Sequence, residues 1–233
     1  MTLKDQLDAK VSSVFQSRWT YVDAQVVPET KSIGLGNHGK NLTATVLYAD
    51  LDSSTELVSK YTREFAAEIY KVFLYCSSRI IAGQNGSIRS FDGDRVMGIF
   101  NKDNPNTNAV TAAMKINWAV RNIINPRLVL QYPNTKYQLK HTVGVDCSDI
   151  LAVRGGVRDN NDLAWIGNAA NIAAKLNSLS SDYPTWITHR VYNKLSDQAK
   201  FSGEPRRSMW EQRIWKPMND MVIYRSNWQW VIS

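Results

Sequence analysis

The sequence predicts an α+β fold of the ferredoxin-like kind, in which elements in the order βαββαβ build one antiparallel sheet. Three observations favour this fold. Two short apolar runs, residues 87–91 and 95–100, flank the dipeptide Asp92-Gly93, which is a strong hairpin signal. A stretch with apolar residues at helical spacing lies on each side of the hairpin, and a strand-like run lies beyond each stretch. The 233 residues can bury one substantial core.

The first 40 residues are predicted to form an N-terminal helix and a loop, ahead of one domain over residues 41–233. Residues 2–17 carry apolar side chains at helical spacing, namely Leu3, Leu7, Val11, Val14 and Phe15. Residues 28–41 contain Pro and several Gly and predict a loop. Within this loop, residues 34–39 have the sequence GLGNHG, which matches the dinucleotide-binding pattern G-x-G-x-x-G. That site needs a strand before it and a helix after it, so we interpret the run as part of the loop.

The six elements of the ferredoxin-like core follow in order. They are predicted as a strand at 42–49, a helix at 55–82, a hairpin at 87–100, a helix at 106–124 and a strand at 137–146. The first helix shows one apolar stripe, and Pro105 marks the start of the second.

The rest of the chain is predicted to extend this core with extra strands. The predicted elements are a hairpin at 150–166, a helix at 168–179, a strand at Trp186–Thr188 with a short helix after it, and two C-terminal strands at Met209–Trp215 and Met221–Tyr224.

Composition restricts the classes of function. The chain has 28 Lys and Arg against 21 Asp and Glu, a net charge of +7 and a pI of 9.4. The basic residues are scattered, which favours a small anionic ligand over DNA. The apolar runs fall short of the ~18 residues that a membrane helix needs. The start lacks a secretory pattern. We therefore expect a cytoplasmic protein without membrane contact, in which Cys76 and Cys147 are buried free thiols.

Two aspartates are expected to meet at one edge of the sheet. Asp50 ends the first strand and Asp94 starts the third, and these strands are antiparallel neighbours in a ferredoxin-like sheet. A carboxylate pair with room for water and phosphate oxygens suits Mg²⁺ or Mn²⁺, and two such ions could bridge it. Alternatively, Asp50 is a helix N-cap and Asp94 is the tail of an Asp-Gly turn. The position of both residues together favours the metal site.

The segment after Asp50 leads directly into the first long helix. Free N–H groups and the helix dipole at such a start can hold a triphosphate, and small residues let the phosphates approach. A capping box between Ser53 and Glu56 explains the same residues, and the two interpretations are compatible.

Three sequence blocks resemble the catalytic domain of class III nucleotidyl cyclases. They are YADL at 48–51, FDGD at 91–94 running on to Phe100, and IGNAANIAAKL at 166–176. The blocks occur in the family's order, and the small single-domain build is most similar to the pyrimidine cyclases of bacterial Pycsar anti-phage systems. The resemblance implies that residues 41–233 are a catalytic domain. It also implies a head-to-tail homodimer whose sites combine residues of both subunits.

The resemblance further implies roles for individual residues. Asp50 and Asp94 would hold two metal ions, Mn²⁺ or Mg²⁺, with the carbonyl of Leu51 assisting. The triphosphate would be bound by backbone N–H groups and by one lysine, and these residues are Ser53, Ser54, Thr55 and Lys216.

Two residues would come from the partner subunit. Asn171 would orient the ribose, and Lys175 would stabilise charge on the α-phosphate. They are four residues apart and therefore share one helix face. The family usually has Arg where this chain has Lys175, and lysine keeps the charge but loses the planar fork. Alternatively, both are ordinary exposed residues of an Ala-rich helix.

The base-reading positions differ from those of purine cyclases. At the first position, adenylate cyclases have Lys and guanylate cyclases have Glu, whereas this chain has Ser90. At the second position, adenylate cyclases have Asp or Thr and guanylate cyclases have Cys, whereas this chain has Ala164. Arg89 and Trp165 are bulky neighbours, and arginine donors suit the two carbonyl oxygens of uracil. With Tyr48, these residues are the predicted base pocket. A shift of one residue in the hairpin would exchange Ser90 for a neighbour, and core packing is the alternative for Trp165.

The predicted reaction is the cyclisation of UTP to 3′,5′-cyclic UMP and pyrophosphate. The resemblance implies that this product activates a separate effector, such as a membrane or TIR-type protein, in anti-phage defence. The alternatives are a cytidylate cyclase, then an adenylate or guanylate cyclase, then a catalytically silent nucleotide-binding regulator. A basic nucleic-acid-binding protein is disfavoured because no basic cluster is present.

Overall fold

A computed structural model describes residues 1–232. The helices are α1 (Leu3–Gln16), α2 (Ser54–Lys60), α3 (Arg63–Gly83), α4 (Pro105–Ala119), α5 (Asn125–Gln131), α6 (Asn168–Leu176), α7 (His189–Asn193) and α8 (Asp197–Lys200). The strands are β1 (Thr20–Asp23), β2 (His38–Leu51), β3 (Ser87–Asp92), β4 (Arg95–Phe100), β5 (His141–Val157), β6 (Asn160–Ile166), β7 (Thr185–Thr188), β8 (Phe201–Ser202), β9 (Arg207–Ser208), β10 (Glu211–Trp215) and β11 (Met221–Ser226).

One large sheet has the order β10-β11-β7-β5-β2-β4-β3, with β1 paired to β2 and β6 paired to β5. Its part β5-β2-β4-β3 is the ferredoxin-like core, and β2 is antiparallel to both of its neighbours there. The α+β, ferredoxin-like prediction is therefore confirmed. The extra strands β7, β11 and β10 continue the sheet beyond β5, as the C-terminal pattern predicted.

The sheet is buried on both faces, which follows from side chains that alternate along each strand. Leu47 and Ala49 of β2 belong to the core beneath α3 and α4. Val46 lies in a second cluster with Met97 of β4 and Ala173 of α6. Even-numbered residues at the end of β2, including the metal candidate at position 50, therefore lie on the α6 face.

The N-terminal region differs from the prediction. The helix α1 is confirmed, but its apolar stripe does not pack on the core, because none of the residues Leu3–Gln16 is buried. The loop predicted over 28–41 is wrong at its end, since β2 begins at His38. The strand β1 was not predicted, because it has only four exposed residues and pairs in parallel with residues 38–41.

The helix predicted over 55–82 is two helices. Thr62 accepts a hydrogen bond from the N–H of Phe65 and so caps the start of α3. The helix predicted over 106–124 continues to Gln131 through a π-helical turn at Val120–Ile124. Pro126 follows this turn, and its missing N–H is accommodated where the regular hydrogen-bond ladder is interrupted.

The remaining elements lie close to their predicted places. The fourth strand begins at His141 rather than at 137 and continues into the arm that pairs with β6, and α6 ends at Leu176 rather than at 179. Cys76 and Cys147 are free thiols, with Cys147 buried and Cys76 half-buried. Within residues 1–232, no helix combines the length and apolar character that a membrane span requires.

Candidate active site

The structure brings Asp50 and Asp94 together at one edge of the sheet. Asp50 lies near the end of β2, directly after Ala49, which is paired with Val96 of β4. Asp94 belongs to the turn between β3 and β4 rather than to β4 itself, which starts at Arg95. The predicted convergence of the two carboxylates is thus present, and the tight hairpin fixes it.

The carboxylate pair is electrostatically strained. Burial, and after it the neighbouring charge of Asp94, raise the pKa of Asp50 to about 6 against the opposing effect of the Arg95 guanidinium. The Oδ2 atom of Asp94 is buried and has no hydrogen-bond partner among the described residues. A buried acceptor without a donor, beside a second carboxyl group, suits a bound cation.

The protein offers only part of a metal coordination shell. In the described part of the chain, no cluster of three or more His, Cys, Asp or Glu side chains could hold a metal. The side chain of Leu51 is buried in the core, so this residue can contribute only its backbone oxygen. An ion bound by Asp50 and Asp94 would take its other ligands from backbone, water and substrate oxygens, which suits Mg²⁺ or Mn²⁺.

The loop at the start of α2 differs from the predicted capping box. Ser53 has a left-handed backbone, with φ 59° and ψ 34°, and its side chain caps no N–H group of the helix. Its hydroxyl donates instead to Asp52 at 3.2 Å. The capping-box alternative with Glu56 is therefore wrong. The N–H groups at Ser54 and Thr55 are left without this side-chain acceptor, as an anion-binding loop requires.

A second group of residues lines this site and was not predicted from the sequence. A pocket of about 450 Å³ extends from Ser53 to the segment before β5, where it is lined by Lys136, Tyr137 and Lys140. The N–H of Asp52 donates to the carbonyl of Lys140 at 3.0 Å, which ties the two segments together. The pairing of β5 with the end of β2 carries this information, and it becomes visible only once the sheet order is known.

The helix α6 carries two of the candidate residues. Asn171 and Lys175 are exposed on α6, while Ala169, Ala170 and Ala173 are buried beneath it. The Nζ atom of Lys175 lies 3.7 Å from Sδ of Met218. Both candidates therefore face outward from the chain that carries them, which is what a contribution to a partner's site requires.

Lys216 lies between the two C-terminal strands. It follows β10 and opens a short 3₁₀ turn, Lys216–Met218. The contact between Lys175 and Met218 brings Lys175 to the turn that contains Lys216.

The predicted base pocket is divided between two hairpins. A β-bulge lies between Ile88 and Ser90, so Arg89 is the extra residue of β3 and Ser90 is opposite Met97. Bulges re-aim side chains, and Arg89 forms an ion pair with Glu29 at 3.0 Å. Its Nε atom is buried and has no partner within residues 1–232.

The aromatic members of the pocket share one apolar cluster. Tyr48 and Trp165 both pack against the cluster on the α6 face of the sheet. The guanidinium of Arg95 lies over the ring of Tyr48, 5.3 Å from its centroid. On β6, Ala164 and Trp165 pair with Val153 and Ala152 of β5.

Comparison with known proteins places the chain in a family. It is 47% identical to a uridylate cyclase of Xanthomonas perforans and 43% identical to one of Burkholderia cepacia, over the full length of each protein. It is 34% identical to a uridylate cyclase of Rhodovulum sp. (strain MB263), over 98% of this chain and 97% of the relative. The chain belongs to the uridylate cyclase family. No protein-family model matches it.

Solved structures show that the chain has the class III cyclase fold. The guanylyl cyclase Cya2 superposes with a TM-score of 0.67 at 16% identity, over 81% of this chain and 92% of that one. The adenylyl cyclase CyaB from P. aeruginosa superposes with a TM-score of 0.64 at 20% identity, over 84% and 96%. The resemblance found in the three sequence blocks is therefore confirmed for the family and for the fold.

Proposed function

We propose that the protein is a metal-dependent pyrimidine nucleotide cyclase that converts UTP to 3′,5′-cyclic UMP and pyrophosphate. The full-length relatives named uridylate cyclase support the substrate. The converging carboxylates of Asp50 and Asp94 support the chemistry, and the orphaned Oδ2 of Asp94 is the observation that carries the metal site.

In this proposal Asp50, Asp94 and the carbonyl of Leu51 hold two divalent cations, Mn²⁺ or Mg²⁺. Bound there, the cations would supply activation of the 3′-hydroxyl and neutralisation of phosphate charge. The N–H groups of Ser54 and Thr55, next to Ser53, orient the triphosphate. The 3′-oxygen forms a bond to the α-phosphorus, and its proton passes to solvent water. The bond from the α-phosphorus to the oxygen that bridges it to the β-phosphate breaks, and that oxygen leaves with pyrophosphate.

The site is completed across a homodimer. Asn171 of one subunit orients the ribose bound by the other, and Lys175 places a positive charge at the α-phosphate. Lys216, in the turn beside Lys175, adds charge for the triphosphate. The exposure of Asn171 and Lys175 on α6 supports this arrangement, because both side chains are accessible to a second subunit. Positioning and charge provide most of the catalysis.

The base is read by side chains of β2 and of the two hairpins. Arg89 donates to a uracil carbonyl oxygen, while Tyr48 and Trp165 flank the ring, and Ser90 and Ala164 leave room without offering purine contacts. The buried unpartnered Nε of Arg89 supports a donor aimed at a ligand. The product would act on a separate effector in anti-phage defence, and the reaction needs neither DNA nor a membrane.

A panel of nucleoside triphosphates tests the proposal. Purified protein is incubated with Mn²⁺ and each of UTP, CTP, ATP and GTP, and the cyclic product and pyrophosphate are quantified. UTP is expected to be converted fastest, and Asp94→Asn is expected to lower its turnover at least about a hundred-fold.

Each other outcome of the panel selects a different function. Preference for CTP would indicate a cytidylate cyclase, and preference for ATP or GTP would contradict a pyrimidine cyclase. Binding of UTP without pyrophosphate release would indicate a silent regulator.

A further inference from the structure

The hydroxyl of Tyr137 is buried, and no contact within the described residues accounts for it. It has no hydrogen-bond partner within the part of the chain that the structure describes. The ring packs edge-on against Tyr61 at 5.4 Å and against Phe65 at 5.6 Å between centroids. A phenylalanine would make the same ring contacts, and an unpaired buried hydroxyl destabilises a fold. Packing therefore explains the ring of Tyr137 and leaves its oxygen unexplained.

Tyr137 lines a pocket next to the loop at the start of α2. Tyr137 lines the cavity of about 450 Å³ together with Asp52, Ser53 and Lys140. The charges of Asp52 and Asp94 act on its hydroxyl, and burial raises the pKa of Tyr137 far above its usual range. The hydroxyl is therefore neutral at physiological pH and can donate a hydrogen bond.

The charges around the cavity select the kind of ligand. Lys136 and Lys140 line it on the side of Tyr137, and neither forms an ion pair within the described residues. Lys60 also lines it but pairs with Glu56. On the opposite side, the carboxylate of Asp52 accepts a hydrogen bond from Ser181 at 2.6 Å. Two unpaired lysines and a neutral donor match phosphate oxygens rather than a cation or an apolar group.

We propose that the hydroxyl of Tyr137 donates a hydrogen bond to the pyrophosphate end of the bound nucleoside triphosphate, with Lys136 and Lys140 supplying charge in the same pocket. Tyr137 is then a substrate-binding residue. This inference rests on the proposed cyclase function. No proton changes place, because the hydroxyl remains protonated while the pyrophosphate leaves.

The substitution Tyr137→Phe tests this directly because it removes one oxygen and keeps the ring. The melting temperature without ligand is expected to stay the same or to rise. The value of kcat/KM for UTP is expected to fall about ten-fold or more, as for a lost hydrogen bond to a charged group. The inhibition constant of inorganic tripolyphosphate with Mn²⁺ is expected to rise by a similar factor.

Tyr132→Phe is the matched control. Tyr132 packs edge-on against the same Phe65, at 5.0 Å, but its hydroxyl donates to Glu68. This variant is expected to leave kcat/KM and tripolyphosphate inhibition unchanged. If Tyr137→Phe behaves in the same way, or if it loses activity only in proportion to a lower melting temperature, the proposal is wrong.

Direct binding separates this proposal from the cyclase function. Calorimetry of tripolyphosphate with Mn²⁺ needs no turnover. Weaker binding by Tyr137→Phe than by the unmodified protein would support the pocket even if no triphosphate in the panel were cyclised. Equal binding by both proteins would overturn it even if UTP were cyclised.

Discussion

At the scale of single residues, the candidate site consists of groups that the fold would be more stable without. Asp50 is partly buried beside a second carboxyl group, Asp94 has a buried oxygen without a donor, and Tyr137 has a buried hydroxyl without a partner. Each arrangement destabilises the ligand-free protein. All three are relieved by ligands of the proposed reaction, cations for the carboxylates and a phosphate for the hydroxyl.

The pKa of Asp50 predicts how the stability of the metal-free protein changes with pH. Because its folded pKa of about 6 exceeds the ordinary value of 3.8, the folded state keeps a proton that the unfolded state has lost. This contribution to stability is present below about pH 4 and is lost as the pH rises through 6. We therefore expect that the Asp50→Asn variant gains melting temperature relative to the unmodified protein between pH 4 and pH 7.

Thermal melts in a chelating buffer measure this difference. Asp8→Asn, at an exposed position of α1, is the control and is expected to follow the unmodified protein at every pH. A constant offset between Asp50→Asn and the unmodified protein across this range would contradict the shifted pKa. Mn²⁺ is expected to stabilise the unmodified protein at pH 7 and to have little effect on Asp50→Asn.

At the scale of elements, the approach of α6 to the sheet sets the position of Asn171 and Lys175. A Cβ atom added to Gly144 of β5 would lie 2.1 Å from the carbonyl oxygen of Ala173 and 2.8 Å from Cβ of Leu176. The helix backbone thus packs directly on a glycine, and no flexible side chain can move to make room.

Gly144→Ala is therefore expected to displace α6. We expect a loss of about 1–3 kcal/mol in the free energy of unfolding, as for an overpacked core, and a fall in UTP turnover. Gly155→Ala on the same strand is the control, because its added Cβ would meet nothing within 4 Å. Denaturant unfolding of both variants measures the effect, and equal stability of the two would contradict the close packing.

The elements that were predictable from the sequence are those with local signals. The dipeptide Asp92-Gly93 between two apolar runs predicts the hairpin, although its two turn residues are Gly93 and Asp94, and α6 has small residues at helical spacing. The strand β1 has neither signal, and its existence depends on its pairing with residues 38–41. The bulge that makes Arg89 an extra residue shifts the alternation, because Ile88 lies opposite Gly98 while Ser90 lies opposite the adjacent Met97. A strict period of two does not predict such a shift.

The candidate site also has one part that the sequence predicts and one part that it does not. The meeting of Asp50 and Asp94 follows from the order of elements, because that order fixes which strands are neighbours. The position of Tyr137 does not follow from the order of elements, because it depends on how the segment before β5 packs against Tyr61 and Phe65. Such contacts between distant segments require three-dimensional structure.

At the scale of the whole molecule, the proposed site is complete only in a dimer. Asp50 and Asp94 belong to one edge of the sheet, whereas Asn171 and Lys175 face outward on α6. A head-to-tail pair of subunits has two such sites, and each combines the aspartates of one chain with the α6 residues of the other.

Mixing two inactive variants tests this arrangement. Asp50→Asn and Lys175→Ala are each expected to be nearly inactive alone. In a mixed dimer, one site carries both substitutions and the other carries neither, so a randomly exchanged mixture is expected to recover about a quarter of the unmodified activity. No recovery, with exchange of subunits verified by native mass spectrometry, would show that each site lies within a single chain.

A crystal structure with Mn²⁺ and a non-reactive UTP analogue tests the central claim most directly, because manganese can be located by its anomalous scattering. Two manganese peaks are expected between the carboxylates of Asp50 and Asp94, about 3.5–4 Å apart, with the triphosphate on the loop that begins at Ser53. Manganese and triphosphate bound away from these two carboxylates would contradict the account.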